Sequence, residues 1–222
     1  MDLDFLYSLK REGVKLDLDI MREFAPRLGN PQDKFRSMHV AGTNAKGSVS
    51  AFIYNILRQR FKTGLYTSPH LVKFSERILV DRKFITNEYM EEFMAKYNPI
   101  IVDLMKENRN PTFFEVTTLI AFDYFASKKV EYASVEVGLG GRLDSTNIIN
   151  PDVSVICNIG YDHFDRLGCT LESIAYEKGG IIKPHRPVVL ADTKEDVVRT
   201  IRRISDLRNS SFTNFPGTTR QT

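Results

Sequence analysis

Met38-His39-Val40-Ala41-Gly42-Thr43-Asn44-Ala45-Lys46-Gly47-Ser48 is an apolar run that stops at a glycine and continues through small, polar residues. Apolar positions then return at Phe52, Ile53, Ile56 and Leu57 with helical spacing. The period changes from strand to helix across the segment, so it reads as strand, loop 42–48, helix. Such a loop turns backbone N–H groups toward an anion at the helix N-terminus. Lys46 would set a point charge on the β and γ phosphates of a nucleotide, and Ser48 offers a hydroxyl to phosphate or Mg²⁺. The spacing departs from the commonest phosphate loop, in which the lysine follows the last glycine, because here Lys46 precedes Gly47. Taken alone, the segment leaves a ligand-free strand-to-helix turn open.

Outward from this loop the same alternation continues. Residues 1–30 carry one or two amphipathic helices, punctuated by Pro26, Gly29, Asn30 and Pro31. Lys62 to Thr67 reads as a strand ending at Ser68-Pro69, where proline prevents a regular continuation. Residues 86–107 form a helical stretch with Pro99 as a candidate break, and 113–126 a second helix. Tyr132 to Val137, Val153 to Cys157 and Pro187 to Ala191 are apolar strands, with a helix at 171–181. Strands alternating with helices predict an α/β fold with a mostly parallel sheet flanked by helices. In such sheets ligands bind beyond the carboxyl ends of the strands.

Composition narrows the class. At 222 residues the chain suits one large domain or two small ones. Its 42% hydrophobic and 27% charged residues exclude global disorder. The net charge of +3 comes from scattered basic residues, so no nucleic-acid partner is expected. Cys157 and Cys169 read as reduced thiols rather than a disulfide framework. Met1-Asp2-Leu3-Asp4 lacks the basic start of a signal peptide, and no apolar run approaches the ~20 residues of a membrane span. The expectation is a cytoplasmic protein with no membrane partner. Residues 205–222, rich in Ser, Thr, Asn and Gly, read as a polar, disordered tail behind a domain spanning 1–204.

Three positions carry chemistry besides the loop. Glu136 sits within an apolar strand and is followed by Gly138, Gly140 and Gly141. A carboxylate there is costly to bury unless it is paired or binds a metal, and Mg²⁺ on a phosphate would suit it. An ion pair with Arg142 or another base is the plain alternative. Asp162-His163 ends the next strand in the same relation, on the predicted ligand edge. Lys178, seen locally, is only the basic last turn of a helix with a glycine stop.

Five segments in order, HVAGTNAKGS, GLYTSPHLVKFSERI, TFFEVTT, VEVGLGGRLDSTNII and IGYDHFDRLGCTLESIAYEKGGIIKP, resemble the folylpolyglutamate synthase and dihydrofolate synthase family of the Mur-ligase superfamily. The resemblance covers most of residues 39–190. It implies a P-loop Mur-ligase central domain that uses ATP to join L-glutamate to a folate or dihydropteroate through an acyl phosphate, as a monomer. Thr43, Asn44, Ala45, Lys46, Gly47 and Ser48 match the family's ATP loop. Ser68, Glu136 and His163 match its magnesium positions, and Lys46 and His163 fall at its catalytic centre. Lys178 matches a lysine that is carbamylated and helps hold a second metal. Thr112, Phe113, Phe114 and Glu115, with Leu143, Asp144 and Ser145, match stretches lining the pterin pocket; for the two phenylalanines a plain core role stays open. The TFFE and EVGLGGRLD segments favour this branch over ligases of peptidoglycan precursors.

Two substitutions depart from the family pattern. Ala45 stands where glycine is usual, at a cost of roughly 1–2 kcal/mol if the position needs φ > 0. Gly179 replaces the usual alanine and is expected to loosen its helix by up to ~1 kcal/mol. The family's C-terminal domain, which closes over the site, is expected to be absent. A nucleotide-binding fragment without turnover is therefore the alternative to an active ligase.

Overall fold

The computed structural model describes residues 3–9, 13, 15–162 and 164–215. Helices α1 (Leu3–Ser8) and α2 (Asp19–Arg27) precede β1 (Arg36–Ala41), which feeds the loop into α3 (Lys46–Leu57). β2 (Thr63–Tyr66) follows, then a hairpin of β3 (Ile78–Val80) and β4 (Lys83–Phe84). Helices α4 (Asn87–Lys106) and α5 (Phe113–Ser127) lead to β5 (Tyr132–Glu136) and β6 (Val153–Ile156). The chain closes with α6 (Phe164–Leu167), α7 (Leu171–Gly179), β7 (Val188–Leu190), α8 (Glu195–Leu207) and β8 (Phe212–Asn214).

Among the described residues eight strands form one sheet in the order β4-β3-β2-β5-β1-β6-β7-β8. Every pairing from β2 to β8 is parallel, and only the β3–β4 hairpin adds antiparallel strands at one edge. The central strands are largely buried, their polar residues Ser37, His39, Ser134 and Ser154 included, because helices cover them, which a parallel sheet requires. Two cores result. The larger joins α1, α2, α4 and α5 to β2 and β5 through Phe24, Met94, Ile101, Val116, Phe122, Phe125 and Val135. The smaller joins α7 and α8 to β6 and β7 through Ile156, Ile174, Ile182, Val188, Val197 and Ile201.

The order places a topological switch at β1. From β1 the chain crosses to β2 on one side, and from β5 it crosses to β6 on the other. The loops after β1 and β6 part there and leave the crevice in which such sheets bind ligands.

Three expectations change. Helix α4 runs unbroken through Pro99. The β3–β4 hairpin has no counterpart in the sequence reading. Its turn residues Asp81 and Arg82 both have positive φ, the geometry that Asn-Gly or Asp-Gly usually announces. The boundary expected at 204/205 falls inside α8, and Phe212–Asn214 pairs in parallel with β7 as an eighth strand. The segment from 205 to 215 thus finishes α8 and adds a strand to the sheet, with Phe212 packed against the smaller core; residues 216–222 of the expected tail lie outside the described residues. Among the described residues no helix is long and apolar enough to cross a membrane.

Candidate functional site

The loop after β1 is held in place by the segment after β6. Gly42 has φ +151°, and a Cβ there would lie 2.6 Å from the Cβ of Cys157, so only glycine lets the two segments touch. Thr43 N–H donates to the Asn158 carbonyl at 2.8 Å, and Asn44 N–H to Asn158 Oδ1 at 3.1 Å. The Thr43 hydroxyl bonds both the N–H and the carbonyl of Gly160. Buried Asp192, at the end of β7, accepts from Ile159 N–H at 2.7 Å and fixes that segment in turn. Thr43 and Asn44 therefore brace the loop. The braces Asn158, Gly160 and Asp192 escaped the sequence reading, since nothing local marks them.

Ala45 is the N-cap of α3 with φ +64°, and no side chain caps the helix. The first N–H groups of a helix have no acceptor within it, so those of Lys46, Gly47 and Ser48 stay open to an anion on the positive end of the helix dipole. The Lys46 ammonium bends back toward the Thr43 carbonyl at 3.4 Å.

Glu136 lies directly under this turn. Val40 pairs with Glu136 across β1 and β5, and a Cβ on Gly47 would come within 3.5 Å of Glu136 Oε2. That oxygen accepts Ser68 N–H at 2.9 Å. Burial raises the Glu136 carboxyl above its ordinary value, opposed by the Ser68 N–H and the Lys46 charge. Arg142 is not its partner, because Arg142 pairs with Glu177 at 2.8 Å. Among the described residues no group of three or more His, Cys, Asp or Glu is placed to hold a metal. The donors on offer are one carboxylate and one hydroxyl, Glu136 and Ser68, which suit a hard cation that takes its other ligands from phosphate and water. His163 lies outside the described residues.

Lys178 is buried, and its ammonium donates to the Gly42 carbonyl at 2.9 Å. Burial, then the charge of Lys46, brings it down to about 8. Nothing local distinguishes it, yet the fold sets it against the loop.

Beyond Ser68 opens a cleft of about 460 Å³. Its walls include Ser68, Thr112, Phe114, Asp144 and Ser145, together with Leu16, Leu139, Lys15, Arg77 and Arg166. Three of the expected residues do not line it. Phe113 packs into the aromatic core against Tyr7 and Phe74. Glu115 closes a capping box with Thr112, accepting its N–H at 2.7 Å. Leu143 is half-buried in the turn before Asp144. Asp144 accepts from Leu139 N–H at 2.8 Å and Thr146 N–H at 3.0 Å, and burial raises its carboxyl. Behind it, buried His39 Nε2 meets the Thr146 hydroxyl at 2.8 Å. Lys15, Arg77 and Arg166 went unread because they come from three distant parts of the chain.

The Mur ligase middle domain profile matches residues 40–216. The dihydrofolate synthase/folylpolyglutamate synthase of Bacillus subtilis is 42% identical over 211 residues, 94% of this chain and 49% of that protein. The folylpolyglutamate synthase of Lacticaseibacillus casei is 40% identical over 78% of this chain and 41% of its own length. Among solved structures, folylpolyglutamate synthase of Thermotoga maritima superposes with a TM-score of 0.87 at 38% identity, covering 96% of this chain and 49% of that one. A folylpolyglutamate synthase complex with AMPPCP and folate gives 0.89 at 33% identity, over 98% and 55%. The chain spans about half the length of the relatives it matches.

Proposed function

Since the chain belongs to the Mur ligase middle domain family, we propose that it is the nucleotide-handling part of an ATP-dependent ligase that joins L-glutamate to dihydropteroate or a folate in the cytoplasm. One observation carries this reading. Ser68 donates to Glu136 beneath the phosphate loop and also lines the apolar cleft. A phosphate site and a site for a flat aromatic substrate thus share one residue. The similarity to folylpolyglutamate and dihydrofolate synthases points the same way.

The chemistry follows from charge placement. The N–H groups of Lys46, Gly47 and Ser48 and the Lys46 ammonium hold the ATP phosphates, with Thr43, Asn44 and Ala45 shaping the turn. Glu136 and Ser68, with His163 from the resemblance, would hold Mg²⁺, which neutralises charge on the transferring phosphoryl group. The substrate carboxylate attacks the γ-phosphorus and releases ADP. The glutamate amine then attacks the acyl phosphate, and the intermediate loses phosphate to leave an amide. Lys178, with its amine partly neutral near pH 8, can add CO₂ at Nζ with loss of a proton; the carbamate would be a second anion beside the loop. Thr112, Phe114, Asp144 and Ser145 wall the acceptor's cleft, with Phe113, Glu115 and Leu143 supporting them from behind.

Two measurements test this. The purified chain should bind MgATP, and Lys46→Ala should weaken that binding at least tenfold by calorimetry; undiminished affinity refutes the loop assignment. Glutamate-dependent ADP release with dihydropteroate or tetrahydrofolate marks an active ligase. ATP binding without such release assigns the chain to nucleotide binding alone.

A further inference from the structure

Among the described residues, Arg77 is a buried cation without an ion-pair partner. Only 8% of it is exposed, whereas the two other cations of the cleft, Lys15 and Arg166, are exposed to water. Its Nε donates to Nδ1 of His70 at 2.8 Å, a nitrogen that accepts through its lone pair. The guanidinium carbon lies 5.6 Å from the Phe113 ring centre and 5.9 Å from that of Phe74. Among the described residues no carboxylate pairs with it, and its terminal nitrogens donate to no protein group. Its terminal nitrogens are not sealed from water but face the open cleft. Fixed in this way on a cleft wall, such a fork suits a planar carboxylate, which accepts two parallel N–H bonds.

We propose that Arg77 is the clamp for the acceptor substrate's carboxylate, holding the group that is to be phosphorylated. The assignment rests on the folate or dihydropteroate reading given above. Three placements support it. Leu16, Phe114 and Leu139 give the cleft apolar walls for an aromatic body. Ser68 shares the cleft with Arg77 and bonds Glu136 beneath the phosphate loop. The Arg77 carbonyl accepts Thr67 N–H at 3.0 Å, which sets the clamp beside Ser68, at the end of the cleft nearest the phosphate loop. A carboxylate held there is oriented, and its charge is matched both before and after it becomes an acyl phosphate.

Calorimetry with dihydropteroate and with its carboxamide analogue, on the whole chain, separates the cases. The wild type should prefer the acid by roughly tenfold to a hundredfold, the range of a charge-assisted pair. Arg77→Met should bind the two equally, with MgATP affinity unchanged and a melting temperature equal to or above the wild type's. An acid preference that survives in Arg77→Met overturns the clamp and leaves the folate reading standing. So does a loss of MgATP affinity with the preference intact. A wild type that binds neither compound removes the folate reading, and the clamp with it. If Arg77→Met does not fold, Arg77→Lys decides: a reduced acid preference supports the clamp, and an undiminished one overturns it.

Discussion

Ala45 is the residue on which the phosphate loop turns, and its φ of +64° puts a Cβ where glycine has none. A left-handed L-residue costs roughly 1–2 kcal/mol, while glycine would return about 0.5–1 kcal/mol of that as unfolded-state entropy. Ala45→Gly is therefore expected to stabilise the chain by about 0.5–1 kcal/mol and to leave MgATP affinity equal or higher. Thermal melts with and without nucleotide check both. Lys183 makes a second prediction. Burial, then the charges of Arg208 and Arg22, bring its ammonium down to about 8, against about 10.4 in an unfolded chain. Between those values the unfolded state binds more protons, so this residue makes stability rise with pH across the window. Urea unfolding at pH 8 and pH 10 should show a rise that is smaller in Lys183→Met than in the wild type.

At the scale of elements, the junction after α7 shows why glycines that look alike differ. A Cβ on Gly179 would lie 2.6 Å from Cδ1 of Ile204 on α8, the far end of a side chain that can turn away. Its glycine is less a loosened helix than room for α8. A Cβ on Gly180 would lie 2.5 Å from the Cα of Arg142, which is backbone and cannot yield. Gly180→Ala should cost about 1–3 kcal/mol, as overpacking does, and Gly179→Ala should be near neutral. Chemical denaturation of the two variants side by side tests the contrast. The same junction brings Lys178 to the loop, so strain at Gly180 should also weaken MgATP binding.

Across the whole molecule, the sheet extends to its eighth strand. β8 covers the edge of β7, and α8 packs on α7, β7 and β8. Deleting residues 205–222 removes β8 and the last turn of α8, uncovering β7 as a bare edge. The shortened chain is expected to melt lower and to associate, read by calorimetry and light scattering. A deletion without effect would mean that β8 adds nothing to the sheet.

Local pattern determined a good deal. The change of period at 38–57 set strand, loop and helix, the apolar runs at 132–137, 153–157 and 187–191 set parallel strands, and Glu136 stood out as a carboxylate with no local reason to be buried. These features are readable because each depends on neighbours a few residues away. The β3–β4 hairpin was not readable, since Asp81 and Arg82 adopt positive φ that their side chains do not announce; Tyr54 Oη accepting Arg82 N–H at 2.8 Å helps hold the turn from another element. Nor was the brace of Thr43 on Asn158 and Gly160, the burial of Lys178 on Gly42, or the meeting of Lys15, Arg77 and Arg166 in one cleft. Those depend on strand order. Only once β1 lies between β5 and β6 do residues more than a hundred positions apart come within hydrogen-bond reach, and no period in the sequence records that distance.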